Sequence, residues 1–454
     1  TSKAGAKCPN NGDADCENST QCAYKRCDPK TGCVTKPTTA LCDDLSPCTL
    51  DKCDANGACS FTPTVDGTAC KLSHGGGGGC KAGVCAWAKS VTAGTYHRCA
   101  TLWSGNTACW GSGAHGLNGD ASFKQQLAPT VVDGSSGLTK WATGESVNAA
   151  IDVDGTVFMM GNAQMGWAGD CKSNCTYAKP TKAAAGWPSL KSVATGKDTV
   201  CGLTKVGAVG CAGSNQRGVA GVGLDPAKSA LVKAFSSVSL VGAAKAVGVF
   251  GGSLHFCAVT DDGGVQCWGR GTEGQLGNGD KKDTTSPVVA SGLGGKGPQV
   301  TTMGLGDTHT CAVTKATDLY CWGNASGGRV LASGTQAGQG LVTAPTKVPG
   351  VQNVAKVAAG ALLTCVLRTN GDVDCFGAAI WGGLGNGSQN SNNFTPTRVL
   401  LPTKAVDVSC SRGSTGCCAT VADGRVYCWG SNTFGELGNG TSKASGSVSA
   451  NVPQ

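Results

Sequence analysis

Cysteine has the most chemistry to offer in this chain, where it accounts for 28 of 454 residues. Twelve of these thiols form six pairs spaced ten apart: Cys99 and Cys109, Cys201 and Cys211, Cys257 and Cys267, Cys311 and Cys321, Cys365 and Cys375, Cys418 and Cys428. Paired thiols can ligate a soft metal, act in catalysis or close a disulfide. Metal fits poorly, because no Cys-x-x-Cys occurs and five histidines cannot make up the missing ligands. In "NAAIDVDGTVFMMG" the aligned positions are Ala149 and Met159, so a seventh pair has lost both thiols together. Bonded partners should be lost as a unit, and independent ligands need not be. Cys171 with Cys175 and Cys410 with Cys417 read as further local bridges, with reshuffling between adjacent Cys417 and Cys418 left open.

Other reactive groups carry less. His97, His255 and His309 each stand two residues before a hairpin cysteine. A residue reused at one place in several repeats reads as a structural hydrogen-bonding group, since buried polar side chains need partners. The "DDGG" and "NGD" turns lack the ligand spacing of a calcium loop. No Gly-Lys-Ser or Gly-Lys-Thr follows a strand, so a phosphate cradle has no support. No catalytic, cofactor or metal residue is assigned, and the chain is read as non-enzymatic.

The elements that must position the thiols follow from the same spacing. "FCAVT" and "VQCWG" flank "DDGG" with the character of a hairpin whose turn glycines accept positive φ. Pairing about that turn sets the two cysteines opposite each other, within disulfide reach. Closing such a loop is worth roughly 2 to 3 kcal/mol. Apolar stretches such as "SVTAG" and "VAKVAAG" supply an inner strand before each hairpin, and a long polar loop leads to an outer one. The anchor positions 99, 149, 201, 257, 311, 365 and 418 recur at intervals of 50 to 56 residues. Seven such repeats predict an all-β propeller or solenoid.

The phrases "GSLHFCAVTDDGGVQCWGRGTEGQLGNG" and "CCATVADGRVYCWGSNTFGELGNG" resemble repeats of the regulator-of-chromosome-condensation family. That resemblance implies a seven-bladed β-propeller over residues 89–454. The repeat ending is eroded in the second, third and fifth copies, as in "CAGSNQRGVAGVG". The best-known member exchanges nucleotide on a nuclear GTPase and binds chromatin, but the loop for that exchange has no counterpart here. Trp110, Trp268, Trp322 and Trp429, with Phe376 in one copy, are expected to pack between blades. Cys410 and Cys417 align with Val249 and Phe256 of the fourth repeat, on the inner strand and its neighbour. The C-terminal "SGSVSANVPQ" is expected to complete a blade beside the N-terminal strands and remove an open edge.

Residues 1–88 follow another rule. Their twelve cysteines include Cys16, Cys22, Cys27, Cys33 and then Cys42, Cys48, Cys53, Cys59, a period of 26. This resembles the cysteine-rich repeats of secreted bacterial surface proteins, a small region stapled by disulfides for want of a core.

So many cysteines imply an oxidising compartment, hence a secreted protein, extracellular or at the cell surface. No apolar run approaches the ~20 residues needed to span a bilayer, and no signal segment opens the sequence, as expected of a mature form after cleavage. Residues 1–88 are charge-balanced, so the net +8 belongs to the rest, where no lysine or arginine cluster stands out. Nucleic acid is therefore not the expected partner. A protein is, including copies of the chain itself through the N-terminal region. The leading expectation is a role in extracellular structure, adhesion or self-assembly into filaments or arrays. Its alternatives are a soluble extracellular binder or inhibitor using one propeller face, and a hydrolase with its site in the central channel.

Overall fold

The structure, a computed structural model, describes residues 23–28, 32–37, 49–53, 58–64, 68–71, 77–81, 84–162, 176–184, 186–330, 340–378, 380–388 and 393–450. Each ten-residue cysteine interval is two short strands about a tight turn. In the fourth repeat His255–Thr260 pairs antiparallel with Val265–Gly269, with Cys257 opposite Cys267. Asp262 organises the turn by accepting bonds from the Thr260 hydroxyl (2.6 Å) and the Gly264 N–H (3.0 Å), while Gly263 takes a φ of +76°. Ala246–Gly251 pairs on one side of this hairpin and Thr284–Val289 on the other, giving a four-stranded sheet.

Seven such sheets follow one another along the chain. Blades 1 to 7 run over residues 88–131, 140–182, 190–238, 246–289, 300–347, 354–398 and 405–450. The first strand of each blade contacts the first strand of the next, and that of blade 7 contacts that of blade 1. All seven first strands therefore line the centre of a closed ring. Ser445–Ala450 pairs with Val426–Gly430 and completes blade 7. Among the described residues no strand is exchanged between blades 7 and 1; the Ala88 N–H donates to the Gly424 carbonyl and the Gly440 N–H to the Leu127 carbonyl (both 2.9 Å), and side chains add to these backbone bonds. The Val91 N–H donates to Asp407 Oδ2 (3.1 Å), the Ala93 N–H to Ser409 Oγ (3.0 Å), and Ser411 Oγ to the Thr95 carbonyl (2.8 Å).

The glycine two places after the second hairpin cysteine has a steric cause. Gly111, Gly213, Gly269 and Gly323 have φ between +97° and +118° where the ladder to the outer strand shifts register. A Cβ on Gly111 would lie 2.6 Å from the Tyr96 carbonyl oxygen, so both the turn and the space demand glycine.

The tryptophan before it binds neighbouring blades together. Trp110, Trp268, Trp322 and Trp429 are fully buried. Their indole N–H groups donate to the Glu436, Val219, Gln275 and Gly383 carbonyls, each in the long loop of the preceding blade. In three cases the first glycine of that loop's ending lies on the ring. A Cβ would meet Trp268 at 2.4 Å from Gly221, Trp322 at 2.7 Å from Gly277 and Trp429 at 2.9 Å from Gly385. Phe376 is buried without such a donor, and it follows the eroded loop of blade 5.

Thr1–Trp87 and Ala88–Gln454 form two separate compact units. In the first unit the described strands repeat the hairpin theme: Ala23–Asp28 pairs with Gly32–Pro37 and Thr49–Cys53 with Cys59–Pro63. The backbone register sets Cys27 opposite Cys33 and Cys53 opposite Cys59, matching the period of 26. Ala69–Lys71, Gly77–Lys81 and Val84–Ala86 make a three-stranded sheet.

Candidate functional site

In an antiparallel four-stranded blade, the connection from first to second strand and the long loop from third to fourth leave at the same end. One face of the ring therefore carries both loop sets, and the opposite face carries the hairpin turns. The loop face opens on a central cavity of about 330 Å³, walled by Thr92, Thr143, Thr195, Met303, Ser409 and their neighbours on the first strands.

Arg412 stands at this cavity. It lies in "CSRGSTGC", where the connection from first to second strand is two residues longer than in blade 4. Cys410 pairs with Cys417, whereas Gly251 pairs with Phe256. That corrects the sequence alignment: Cys410 occupies the place of Gly251, not of Val249, because the extra residues sit in the loop and not in the strand. The guanidinium spans the ring to the carbonyls of Thr143, Thr195 and Gly251 in blades 2, 3 and 4. Burial lowers its pKa to about 10, still far above neutrality, and among the described residues no carboxylate offsets the charge. Among the described residues Lys356 is the other cation of the cavity wall, and its ammonium is paired with Asp407 at 2.5 Å. Arg412 is thus a permanent, un-neutralised cation at the middle of the loop face.

Loops of the same face expose apolar groups. Trp381 is 62 % exposed and Ile380 43 %. Trp381 also has a φ of +59°, in the left-handed region where a bulky side chain is strained by ~1 to 2 kcal/mol. The equivalent positions hold Gly274, Gly327 and Gly435 in blades 4, 5 and 7, and His115 and Arg217, at φ of +59° and +62°, in blades 1 and 3. A largely exposed tryptophan at a strained loop position is a candidate contact residue for a partner. Tyr96 and Phe434 form an exposed aromatic pair, with centroids 5.0 Å apart across the seam of blades 1 and 7.

The sequence-assigned residues lie elsewhere. The ring cysteines are bonded as Cys99–Cys109, Cys201–Cys211, Cys257–Cys267, Cys311–Cys321, Cys365–Cys375, Cys410–Cys417 and Cys418–Cys428. Cys171 and Cys175 fall outside the described residues. Cys365, Cys410 and Cys417 bring their sulfurs within 4.8 Å of one another, but each is spent in a disulfide and offers no thiolate to a metal. His97 Nε2 meets Asn148 Oδ1 at 2.8 Å, His255 Nε2 meets Thr310 Oγ1 at 2.8 Å, and His309 Nε2 meets Thr364 Oγ1 at 2.9 Å. Each bond crosses to the next blade. Thr310 and Thr364 donate onward to the Gln275 and Arg329 carbonyls, so their oxygens accept and both imidazoles are protonated at Nε2. Burial lowers the three pKa values to about 4, 3 and 3.

The repeat phrase, closed ring and loop face define a seven-bladed propeller, parts of which match the regulator of chromosome condensation (RCC1) repeat. Two models of that repeat match the chain, one at residues 262–313 and 423–454, the other at 246–275 and 405–436. The ultraviolet-B receptor UVR8 of Arabidopsis thaliana is 29 % identical over 369 residues, covering 78 % of this chain and 79 % of the receptor. The human E3 ubiquitin-protein ligase HERC2 is 30 % identical over 200 residues, which are 44 % of this chain and 4 % of the ligase. Among solved structures, Prp20p of Saccharomyces cerevisiae has a TM-score of 0.67 at 21 % identity, covering 81 % of this chain and 87 % of that one. Human WBSCR16 has a TM-score of 0.63 at 23 % identity, over 72 % and 85 %. These structural likenesses show a shared fold.

Arg412 and Trp381 were not singled out in the sequence. Arg412 had a signal in the lengthened first loop of the last repeat. Trp381 had one too, as the largest residue at a loop position that holds glycine in blades 4, 5 and 7 and histidine or arginine in blades 1 and 3.

Proposed function

We propose that the chain is a non-catalytic protein-binding propeller of an oxidising compartment, secreted or held at the cell surface, that engages its partner through the loop face. The carrying observation is the pairing on that face of an un-neutralised guanidinium, Arg412, with the strained and exposed Trp381. Tryptophan and arginine are the residue types that most often dominate binding energy at interfaces. A partner that presents an acidic side chain to the channel mouth beside an apolar patch matches this chemistry. UVR8 is named as a receptor, and the Prp20p structure is described with that protein's binding to Gsp1p and histones. A binding role for a propeller of this kind is consistent with both. The compartment rests on the cysteines, since seven disulfides in one ring suit oxidising surroundings.

The test places a photo-crosslinking amino acid at position 381 of the full chain, and separately at Val153, an 80 % exposed residue on a hairpin turn of the opposite face. Both proteins are irradiated in the native source, and the products are identified by mass spectrometry. A single partner captured from 381 and absent from 153 is the expected outcome. If that partner is a second copy of the chain, repetition of the contact builds the filament or array that the N-terminal extension suggested. Equal capture from both faces, or none from 381, overturns the reading.

A further inference from the structure

The bridge Cys410–Cys417 is the odd one of the ring. It joins a first strand to a second strand, not the two strands of a hairpin, and it is found in blade 7 alone among the described residues. Its surroundings differ as well. Cys410 lies on the wall of the central cavity and is 6 % exposed, while the sulfurs of the six hairpin bridges lie in cysteines at 0 or 1 %. On its other side Cys417 Sγ is 3.7 Å from Cys365 Sγ of blade 6, whose own bond goes to Cys375. Two disulfides are therefore in van der Waals contact through one sulfur each, and one of them faces a solvent-sized channel.

We infer that these four cysteines form a thiol–disulfide exchange site, in which a small thiol entering the channel converts the pairing within blades 6 and 7 into a bridge between them. The incoming thiolate attacks Sγ of Cys410, the residue of the set that lines the cavity and keeps 6 % exposure. A bond forms from the small thiol to Cys410 and the Cys410–Cys417 bond breaks, with its electron pair leaving on Cys417. The Cys417 thiolate then attacks Cys365 Sγ, so that Cys365–Cys417 forms and Cys365–Cys375 breaks. Cys375 leaves as thiolate and takes up the proton that the incoming thiol released. Two disulfides and one thiol are consumed and two disulfides and one thiol are produced, so no oxidant or reductant is needed. Closing the 3.7 Å gap to a bond of about 2 Å asks for a rotation of the freed Cys417 side chain, not a movement of blades. Blade 2, which holds Ala149 and Met159 at the hairpin positions, shows that a blade keeps its register without a hairpin bridge. Blade 6 can therefore lose its own.

The experiment treats the oxidised full chain with limiting 2-mercaptoethanol under native conditions. The reaction is quenched with acid, free thiols are alkylated, and bridges are mapped by non-reducing peptide mass spectrometry. The expected product carries 2-mercaptoethanol on Cys410, a Cys365–Cys417 cross-linked peptide and alkylated Cys375. Its formation should be at least about tenfold faster than adduct formation at the fully buried Cys311–Cys321 bridge. In the double variant Cys365→Ala/Cys375→Met, patterned on blade 2, Cys410 should still be labelled and Cys417 should now be alkylated. A Cys410 adduct with Cys417 alkylated and Cys365–Cys375 intact in the unmodified chain refutes the transfer. Adducts spread evenly over the hairpin bridges, or none before unfolding, refute the site itself.

Discussion

Mild acid should weaken this propeller through its three buried histidines. His97, His255 and His309 are completely buried and stay neutral down to pH values of about 4, 3 and 3, against 6.5 for a free imidazole. Their Nδ1 atoms have no partner, so protonation there would place an unsolvated charge between blades. In the unfolded chain the same groups take up a proton below about pH 6.5. Proton uptake by the unfolded state alone means that the stability is present above that pH and is lost as the pH falls toward the folded values. Between pH 7 and pH 5 each histidine should cost about 2 kcal/mol, and the three together about 6 kcal/mol. Carboxylates with ordinary or lowered pKa values titrate mostly below this window, which isolates the imidazoles. Urea unfolding of the oxidised chain at pH 7, 6 and 5, followed by tryptophan fluorescence, measures the loss. The variant His97→Gln/His255→Gln/His309→Gln keeps an N–H donor near each Nε2 position but has no group to protonate. It should be less stable at pH 7 and nearly independent of pH down to 5. A wild-type stability that changes by less than about 1 kcal/mol across the window, or a triple variant with the wild-type slope, would refute the reasoning.

Two further outcomes follow from the packing. Replacing one hairpin bridge by the residues of blade 2, as Cys257→Ala/Cys267→Met, should cost roughly 2 to 3 kcal/mol in chemical denaturation without loss of the fold; an unfolded product would mean that blade 2 is no guide to the others. Trp322→Phe removes the 2.8 Å bond to the Gln275 carbonyl and should cost about 1 to 2 kcal/mol. Gly277→Ala should cost more than that, because it adds a Cβ 2.7 Å from the same indole at a φ of +74°; equal stability of the two variants would contradict the packing account.

The hairpins, their register and the number of blades were legible because they depend on neighbours close in sequence. A ten-residue interval around "DDGG" can place Cys257 opposite Cys267 with no help from the rest of the chain. The recurrence of His97, His255 and His309 pointed to a structural bond, and its partners Asn148, Thr310 and Thr364 stand at one equivalent place in the next blade. Alignment by fixed spacing failed where the spacing itself changed, in the lengthened loop that holds Arg412. Nothing local could reveal that Arg412 reaches carbonyls of blades 2, 3 and 4, since those residues are more than 160 positions away.

The sequence by itself determined a seven-fold repeat of four short strands, because alternating apolar residues, turn glycines and paired thiols act over one blade at a time. Only the tertiary structure decided which surfaces of different blades meet. Ring closure sets the angle between blades, and that angle places an indole on the preceding loop, an imidazole on the following strand, and Cys417 at 3.7 Å from a cysteine 52 residues earlier. It also gathers seven first strands around one channel and, among the described residues, leaves the Arg412 guanidinium without an opposite charge at its mouth. These contacts depend on the curvature of the whole ring, which no single repeat encodes.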